Sequence, residues 1–426
     1  MSEIAEPISG LAVEELGPAL LRPLRDRDFR LLFGGETTSF LGDQFHLVAL
    51  AWLTLQLTGS GLALGTVLMT AAVPRAVLVL LGGALSDRFS PRGLMLSSNA
   101  SRAVVVAIIA TLVLTGTTQL WQLYLLAGVF GVADAVYYPA INTILPMLVA
   151  ERRLPAANAL VHGSQQLAGL VGPALAGLLV AAVQTGPAFA IDAVSFTIAA
   201  VALVLIRGGR RAATTGAATA PQSVLQSIGP GLRYAWSDPA IRTLVVLTSA
   251  LNLAFTGPVS VGLAWLANNR FDGGSAVFGI ILSAFGAGAL LGAVLAGSVR
   301  RVPSLGAVVL GIGVLLGIGL ALIGTAPNVP VVLAIVAPMG ILIGFINVQV
   351  IAWMQARVAE TMRGRVMSLL MLGSIGLAPI SLAATGVLLD VGAATLTFAF
   401  AGAICVAASL AGFAWGLPAR MEAVAD

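Results

Sequence analysis

The chain has 426 residues and a formal net charge of +4, with 58% of its positions hydrophobic and only 9% charged. A soluble domain carries about a quarter charged residues, so this composition, with a mean hydropathy of +0.99, excludes an ordinary water-soluble fold and points to a chain that lives in a bilayer. The sequence pI near 10.0 does not indicate nucleic acid, because the basic residues are spread over separate short loops and form no continuous patch.

Residues 1–28 begin acidic, with Glu3, Glu6, Glu14 and Glu15, and lack the basic start and cleavable apolar run of a signal peptide. They are expected to form a cytoplasmic N-terminal segment. Twelve apolar stretches follow, each near or above the length of about 20 residues that a helix needs to cross the hydrocarbon core: 29–54, 62–86, 93–116, 119–147, 157–184, 187–206, 240–266, 275–299, 304–325, 329–356, 364–389 and 394–417. None shows the alternation of a membrane β-barrel strand, so helices are the expected form. The fold class that follows is all-α integral membrane, with one six-helix bundle over 29–206 and a second over 239–417. Between them, 207–238 reads as a basic linker in which Val224, Leu225, Ile228 and Leu232 recur at helical spacing, predicting a short interfacial amphipathic helix. Residues 418–426 form a tail.

Orientation follows from the arginines, which are the only Lys/Arg-type residues present. Arg22, Arg25, Arg27 and Arg30 precede the first span; Arg88 and Arg92 follow the second; Arg152 and Arg153 the fourth; Arg207, Arg210 and Arg211 the sixth; Arg300 and Arg301 the eighth; and Arg357, Arg363 and Arg365 flank the turn after the tenth. The other side shows essentially Arg270. The positive-inside rule then places both termini and the linker in the cytoplasm, as in a multi-pass protein of the cytoplasmic membrane. Cys405 is the single cysteine, and His46 and His162 are far apart, so no disulfide, metal site or cofactor is expected.

Several motifs occur at fixed places. Gly83-x-Leu85-x-Asp87-Arg88, with Arg92 four positions later, fills the turn between the second and third spans. Ala168-x-x-x-Gly172-Pro173-x-x-Ala176-Gly177 lies in the fifth. Phe29–Gly35, Leu41–Gln44, Ile191–Phe196 and Arg363–Ser368 are further distinctive runs. Together they resemble the major facilitator superfamily, and within it the branch that holds enterobactin-type and macrolide-type exporters among the drug:proton antiporters. Ser90 and Pro91 stand where the loop motif has Gly and a basic residue, and Ala127 falls near where many drug/proton antiporters carry an Arg. The resemblance implies a twelve-helix major facilitator fold working by alternating access. It also implies a conformational latch of Gly83, Asp87, Arg88 and Arg92 against the start of the eleventh span at Arg363 and Arg365, and an antiporter-type helix motif of Ala168, Gly172, Pro173 and Gly177. Proline removes a backbone hydrogen bond and kinks that helix.

Charges inside the spans are the sharper clue, since each costs at least about 2.5–3.5 kcal/mol at a helix centre and demands a partner or a wet cavity. Folding the first two spans as an antiparallel hairpin brings Asp43 level with Arg75, and the same reasoning on the third and fourth brings Arg102 near Asp134. Glu36, Ser39 and His46 share the helical face of Asp43. The fourth span repeats the stripe with Asp134, Tyr138 and Asn142, the seventh with Thr248, Asn252 and Thr256, and the tenth partly with Asn347 and Trp353. These are the spans that line the central cavity in the superfamily. Asp43 reads either as a proton or cationic-substrate site or as a permanent partner of Arg75. Asp134 reads as a partner of Arg102 or as a coupling group, Glu36 as hydrated near the cytoplasmic mouth or as an entry residue, His46 as a proton relay or a packed ring, and Asp192 as structural.

The function expected is secondary active export of small amphipathic or lipophilic compounds, driven by inward proton flow, by a monomer whose partners are its small-molecule substrate, protons and the lipid bilayer. The alternative is an importer or uniporter of a polar or anionic metabolite. An enzyme is not expected, because no nucleophile–base set or phosphate loop is present.

Overall fold

The structure is a computed structural model and describes residues 20–86, 90–207, 233–271, 273–299, 302 and 304–422. Eleven helices among them are long and apolar enough to cross a membrane. In chain order these are α2 (Gly61–Ser86), α3 (Pro91–Leu114), α4 (Leu120–Leu148), α5 (Leu154–Val183), α6 (Thr185–Leu205), α7 (Pro239–Asn269), α8 (Gly274–Ser298), α9 (Leu305–Thr325), α10 (Val329–Arg357), α11 (two segments, Glu360–Ile375 and Ala378–Asp390) and α12 (Ala394–Ala414). They are preceded by α1 (Arg27–Thr58), whose 32 residues are long enough to span but are interrupted by Glu36, Asp43 and His46. The twelve helices make the fold all-α.

Local sequence sets the helix ends. Gly59 closes α1 in the left-handed region at φ +64°, and Ser90 caps α3 just before Pro91. Two breaks interrupt the second bundle. Pro258 opens a five-residue π-turn within α7, and Pro379, which lacks an N–H, sits at the start of the second segment of α11.

Within the first bundle α1 packs on α5 and α6, α3 on α4 and α6, and α2 on α4; within the second α8 packs on α10, α9 on α12, and α7 on α11 and α12. The bundles meet where α5 crosses α8 and where α2 crosses α11. Successive helices alternate in direction. The described ends near 27, 153, 205, 238, 357 and 417 therefore lie on one face (the terminal face), and those near 59, 116, 184, 271, 326 and 391 on the opposite, distal face. Two similar ion pairs fix the terminal face: Arg153 to Asp26 at 2.9 Å before α1, and Arg357 to Asp238 at 2.8 Å before α7. Their equivalent places support a duplicated architecture.

The crossings are built on glycine, which allows backbones to approach closely. A Cβ on Gly177 of α5 would lie 3.1 Å from Gly279 Cα on α8, and one on Gly386 of α11 would lie 2.6 Å from the Gly61 carbonyl oxygen on α2. Hydrogen bonds reinforce both crossings. Ser275 Oγ donates to the Gly177 carbonyl (3.1 Å) and the Ala174 N–H to Ser283 Oγ (2.9 Å). At the distal tip Asp390 accepts from Ser60 Oγ (2.5 Å) and from the Gly61 N–H (2.6 Å).

The expected antiporter-type motif thus faces two ways. Ala168 and Pro173 are buried, a Cβ on Gly172 would meet Gln44 Cβ of α1 at 2.6 Å, and Gly177 faces the other bundle. The expected amphipathic helix of the linker lies outside the described residues, as do Asp87 and Arg88. Gly83 lies in α2, and Arg363 and Arg365 in α11, but their side chains are likewise outside the description. Arg92 is described, and it does something other than reach α11: its guanidinium donates to the Leu203 (2.7 Å) and Val204 (2.8 Å) carbonyls, satisfying the last turn of α6.

Candidate functional site

Helices α1, α3, α4 and α6 converge on one guanidinium. Arg102 is only 1% exposed. Its Nη2 donates to Asn99 Oδ1 at 2.6 Å, and its Nη1 lies 3.5 Å from Asp134 and 3.8 Å from Asp43. The cation lies 4.4 Å from the Phe196 ring centroid and 4.6 Å from that of Tyr137, so aromatic faces supply what water would have. Arg75 joins from α2, its Nε 3.2 Å from the second oxygen of Asp134. Asp134 therefore bridges two arginines, and Asp43, with a third of its side chain exposed, is the open carboxylate of the group.

This corrects the expected Asp43–Arg75 pair. Hairpin arithmetic sets the two residues level, but consecutive helices α1 and α2 are not close neighbours: α1 packs on α5 and α6, and α2 on α4. Depth follows from chain arithmetic; facing follows from which helices pack.

Glu36 is also not a hydrated mouth residue. It is 1% exposed, its Oε2 accepts a short hydrogen bond from Tyr137, and Asn99 Nδ2 reaches its Oε1 at 3.5 Å. The side chain of Tyr138 is outside the description, and its neighbour Tyr137 makes the contact; Asn142 is exposed. Stepping by four from Asp134 along α4 led to Tyr138, whereas the i+3 step reaches Tyr137 on the face that meets α1. Asn99, one turn before Arg102, was visible by the same rule.

His46 packs deeper in the first bundle. Its Nδ1 lies 3.2 Å from Asp192 Oδ2 on α6, and neither atom has another partner. The ring stacks on Phe130 with centroids 4.4 Å apart, and Phe130 meets Phe196 edge-on. Phe130 therefore links the His46–Asp192 pair, the Arg102 cluster and a cavity beyond.

That cavity, about 630 Å³, lies where the bundles meet. Gln44, Arg75, Phe130, Asp134 and Gln166 face it from the first bundle, and Thr256, Ser260, Phe278, Phe285 and Ser374 from the second. The charges are all on one side. Asn252 and Asn347, expected on the same cavity, line a separate one of about 480 Å³ inside the second bundle, together with Thr248. Trp353 is turned away from both: it is buried at the terminal face, donates to the Met421 carbonyl (3.3 Å) and lies under Arg357.

With this geometry in view, the relatives are informative. Residues 19–425 match the model of the family described as transmembrane secretion effector. The multidrug efflux pump Tap of Mycolicibacterium fortuitum is 27% identical over 86% of this chain and 90% of its own length. The uncharacterized MFS-type transporter YfiS of Bacillus subtilis is 31% identical over 64% of each chain, so that alignment spans just under two thirds of that relative. Among solved structures, a POT family transporter in complex with 5-aminolevulinic acid superposes with a TM-score of 0.73 at 14% identity, covering 94% of this chain and 97% of that one, a likeness of fold alone. The match over almost the whole chain and the twelve-helix fold agree: the protein belongs to the transmembrane secretion effector family of the major facilitator superfamily, and is a transporter and not an enzyme.

Proposed function

We propose that this transporter exports small amphipathic compounds by alternating access, driven by inward proton flow, from the cytoplasmic membrane of a bacterium. The observation that carries this reading is the carboxylate–guanidinium cluster at the wall of the central cavity. Three carboxylates (Glu36, Asp43, Asp134) face two guanidinium groups (Arg75, Arg102). In a low-dielectric setting an unbalanced charge is costly, so the cluster becomes neutral by holding one proton, and Asp43 is its most accessible acceptor. Release and rebinding of that proton would redistribute the Arg102 contacts among α1, α3 and α4. The name of the relative Tap, a multidrug efflux pump, supports the direction of transport, and the hydrogen-bonded contact at the distal tip fits one state of a two-state cycle. Import of an anionic metabolite is less well supported, because Arg75, the cation on the cavity wall, is already paired with Asp134.

The test is dye and drug efflux from energised cells and from proteoliposomes, wild type against Asp43→Asn, with and without a proton gradient. Gradient-dependent efflux that disappears in the variant at normal protein levels is expected. Full activity in the variant, or efflux indifferent to the gradient, would remove Asp43 from the coupling step.

A further inference from the structure

The second cavity has features that the coupling cluster does not explain. It is lined by α7 to α12 of one bundle, and among the described residues no Asp, Glu, Arg or His contributes to its wall. Apart from Thr248 and Ser374 its polarity comes from two carboxamides. Asn252 donates its Nδ2 to the Thr248 carbonyl one turn back (2.9 Å), and no described group pairs with its Oδ1. Asn347 makes no hydrogen bond among the described residues, and its side chain is exposed to the cavity. The remaining wall is aliphatic, with Leu251, Ile312, Leu316 and Ile343. Carboxamides on an apolar wall without a protein partner are expected to pair with whatever fills the space.

Its size, about 480 Å³, falls within the range of about 300–1,000 Å³ typical of small-molecule sites. Phe285 and Ser374 line both cavities, so the two spaces adjoin. A cation would gain nothing there, because every carboxylate of the candidate site lies in the other bundle.

We propose that this chamber is a substrate subsite for an uncharged amphipathic molecule, whose apolar body fills the aliphatic wall and whose hydroxyl or amide group pairs with Asn252 and Asn347. The inference rests on the export reading, and it adds a division of labour: the proton is held by the first bundle and the ligand by the second. Proton and ligand then do not compete for one carboxylate, and their coupling passes through the movement of the bundles.

The experiment measures binding of chloramphenicol, an uncharged probe with hydroxyl and amide donors, and of ethidium, a permanent cation, to the purified full-length protein by equilibrium dialysis and by thermal shift. Asn252→Leu and Asn347→Leu together are expected to weaken chloramphenicol binding about tenfold, equivalent to about 1.4 kcal/mol, while Thr111→Ala, at an exposed position of α3 in the other bundle, changes it less than twofold. Should the leucine variants fail to fold, Asn347→Ser reads the same contact, and Ile343→Trp fills the chamber without touching either amide. Preference for ethidium, absence of chloramphenicol binding, or loss of binding on Asp43→Asn but not in the amide variants overturns the proposal. Binding with the expected amide dependence, but no transport in proteoliposomes, would instead overturn the export reading and leave the chamber standing.

Discussion

Gly386→Ala is the most direct probe of how the two bundles close on each other. A Cβ there would lie 2.6 Å from the Gly61 carbonyl oxygen and 2.9 Å from Leu62 Cα, where ordinary contact begins at 3.4 Å. Both obstacles are backbone, so no side-chain rotation relieves them, and α2 and α11 must separate by about 0.8 Å at this point. Overpacking of this kind costs about 1–3 kcal/mol, and the whole cost falls on the state in which the distal crossing is shut. The equilibrium should therefore move toward the distally open state by about 5- to 150-fold. Ser260, on the wall of the central cavity, serves as the reporter. In a Cys405→Ala, Ser260→Cys background, and with the distal face outward as the positive-inside rule expects, an impermeant maleimide added to intact cells labels position 260 only when the distal side opens. Labelling should be faster with Gly386→Ala than without it, and still faster with Gly386→Leu. Unchanged labelling in a variant that retains its native melting temperature would refute the reasoning.

The other predictions concern single contacts. Arg102→Met leaves Asp43 and Asp134 facing each other with less compensation and should cost about 3–5 kcal/mol of stability, read as a lowered melting temperature in detergent; adding Asp43→Asn should restore part of it, and a single variant as stable as wild type would count against the cluster. Asp390→Ala removes both acceptors from Ser60 and Gly61 at the distal tip and should raise the same maleimide labelling, whereas Ser60→Ala, which keeps the Gly61 contact, should raise it less; an Asp390→Ala variant that labels at the background rate sinks this reading. At the terminal face, burial opposes the charged form of Asp238, but a hydrogen bond from Arg357 and those from the Ala240 and Ile241 amides outweigh it and hold the carboxyl below the usual range. The stabilisation from this lowered value is complete above about pH 4 and is lost as the pH falls through it. The melting-temperature gap between wild type and Asp238→Asn should therefore persist at neutral pH and close on acidification; a gap that stays constant would rule out an ionic origin.

Much of the fold was legible because a bilayer leaves the backbone few choices. Apolar stretches of spanning length give helices, as α1 to α12 show. The polar stripe of the first span was also readable, and Glu36, Asp43 and His46 do face other helices of the bundle. What was not legible was which helix each one faces. Hairpin arithmetic sets Asp43 and Arg75 level, yet Asp43 reaches Arg102 and Arg75 reaches Asp134, because α1 lies against α6 and α2 against α4. Tyr137 escaped notice beside Tyr138, since one residue along a helix turns a side chain by about 100°.

Composition and period thus determined by themselves the membrane setting and the helical segments, both of which are properties of one helix at a time. Only the tertiary structure decided that Arg102 is the hub, that Asp134 is shared between two cations, and that Asn252 and Asn347 line a chamber apart from the charges. Those are relations between helices distant in sequence, and they depend on the glycine-mediated crossings and on the rotation of each helix about its axis, which hydrophobic patterning in a bilayer constrains only weakly because lipid and protein interior are both apolar.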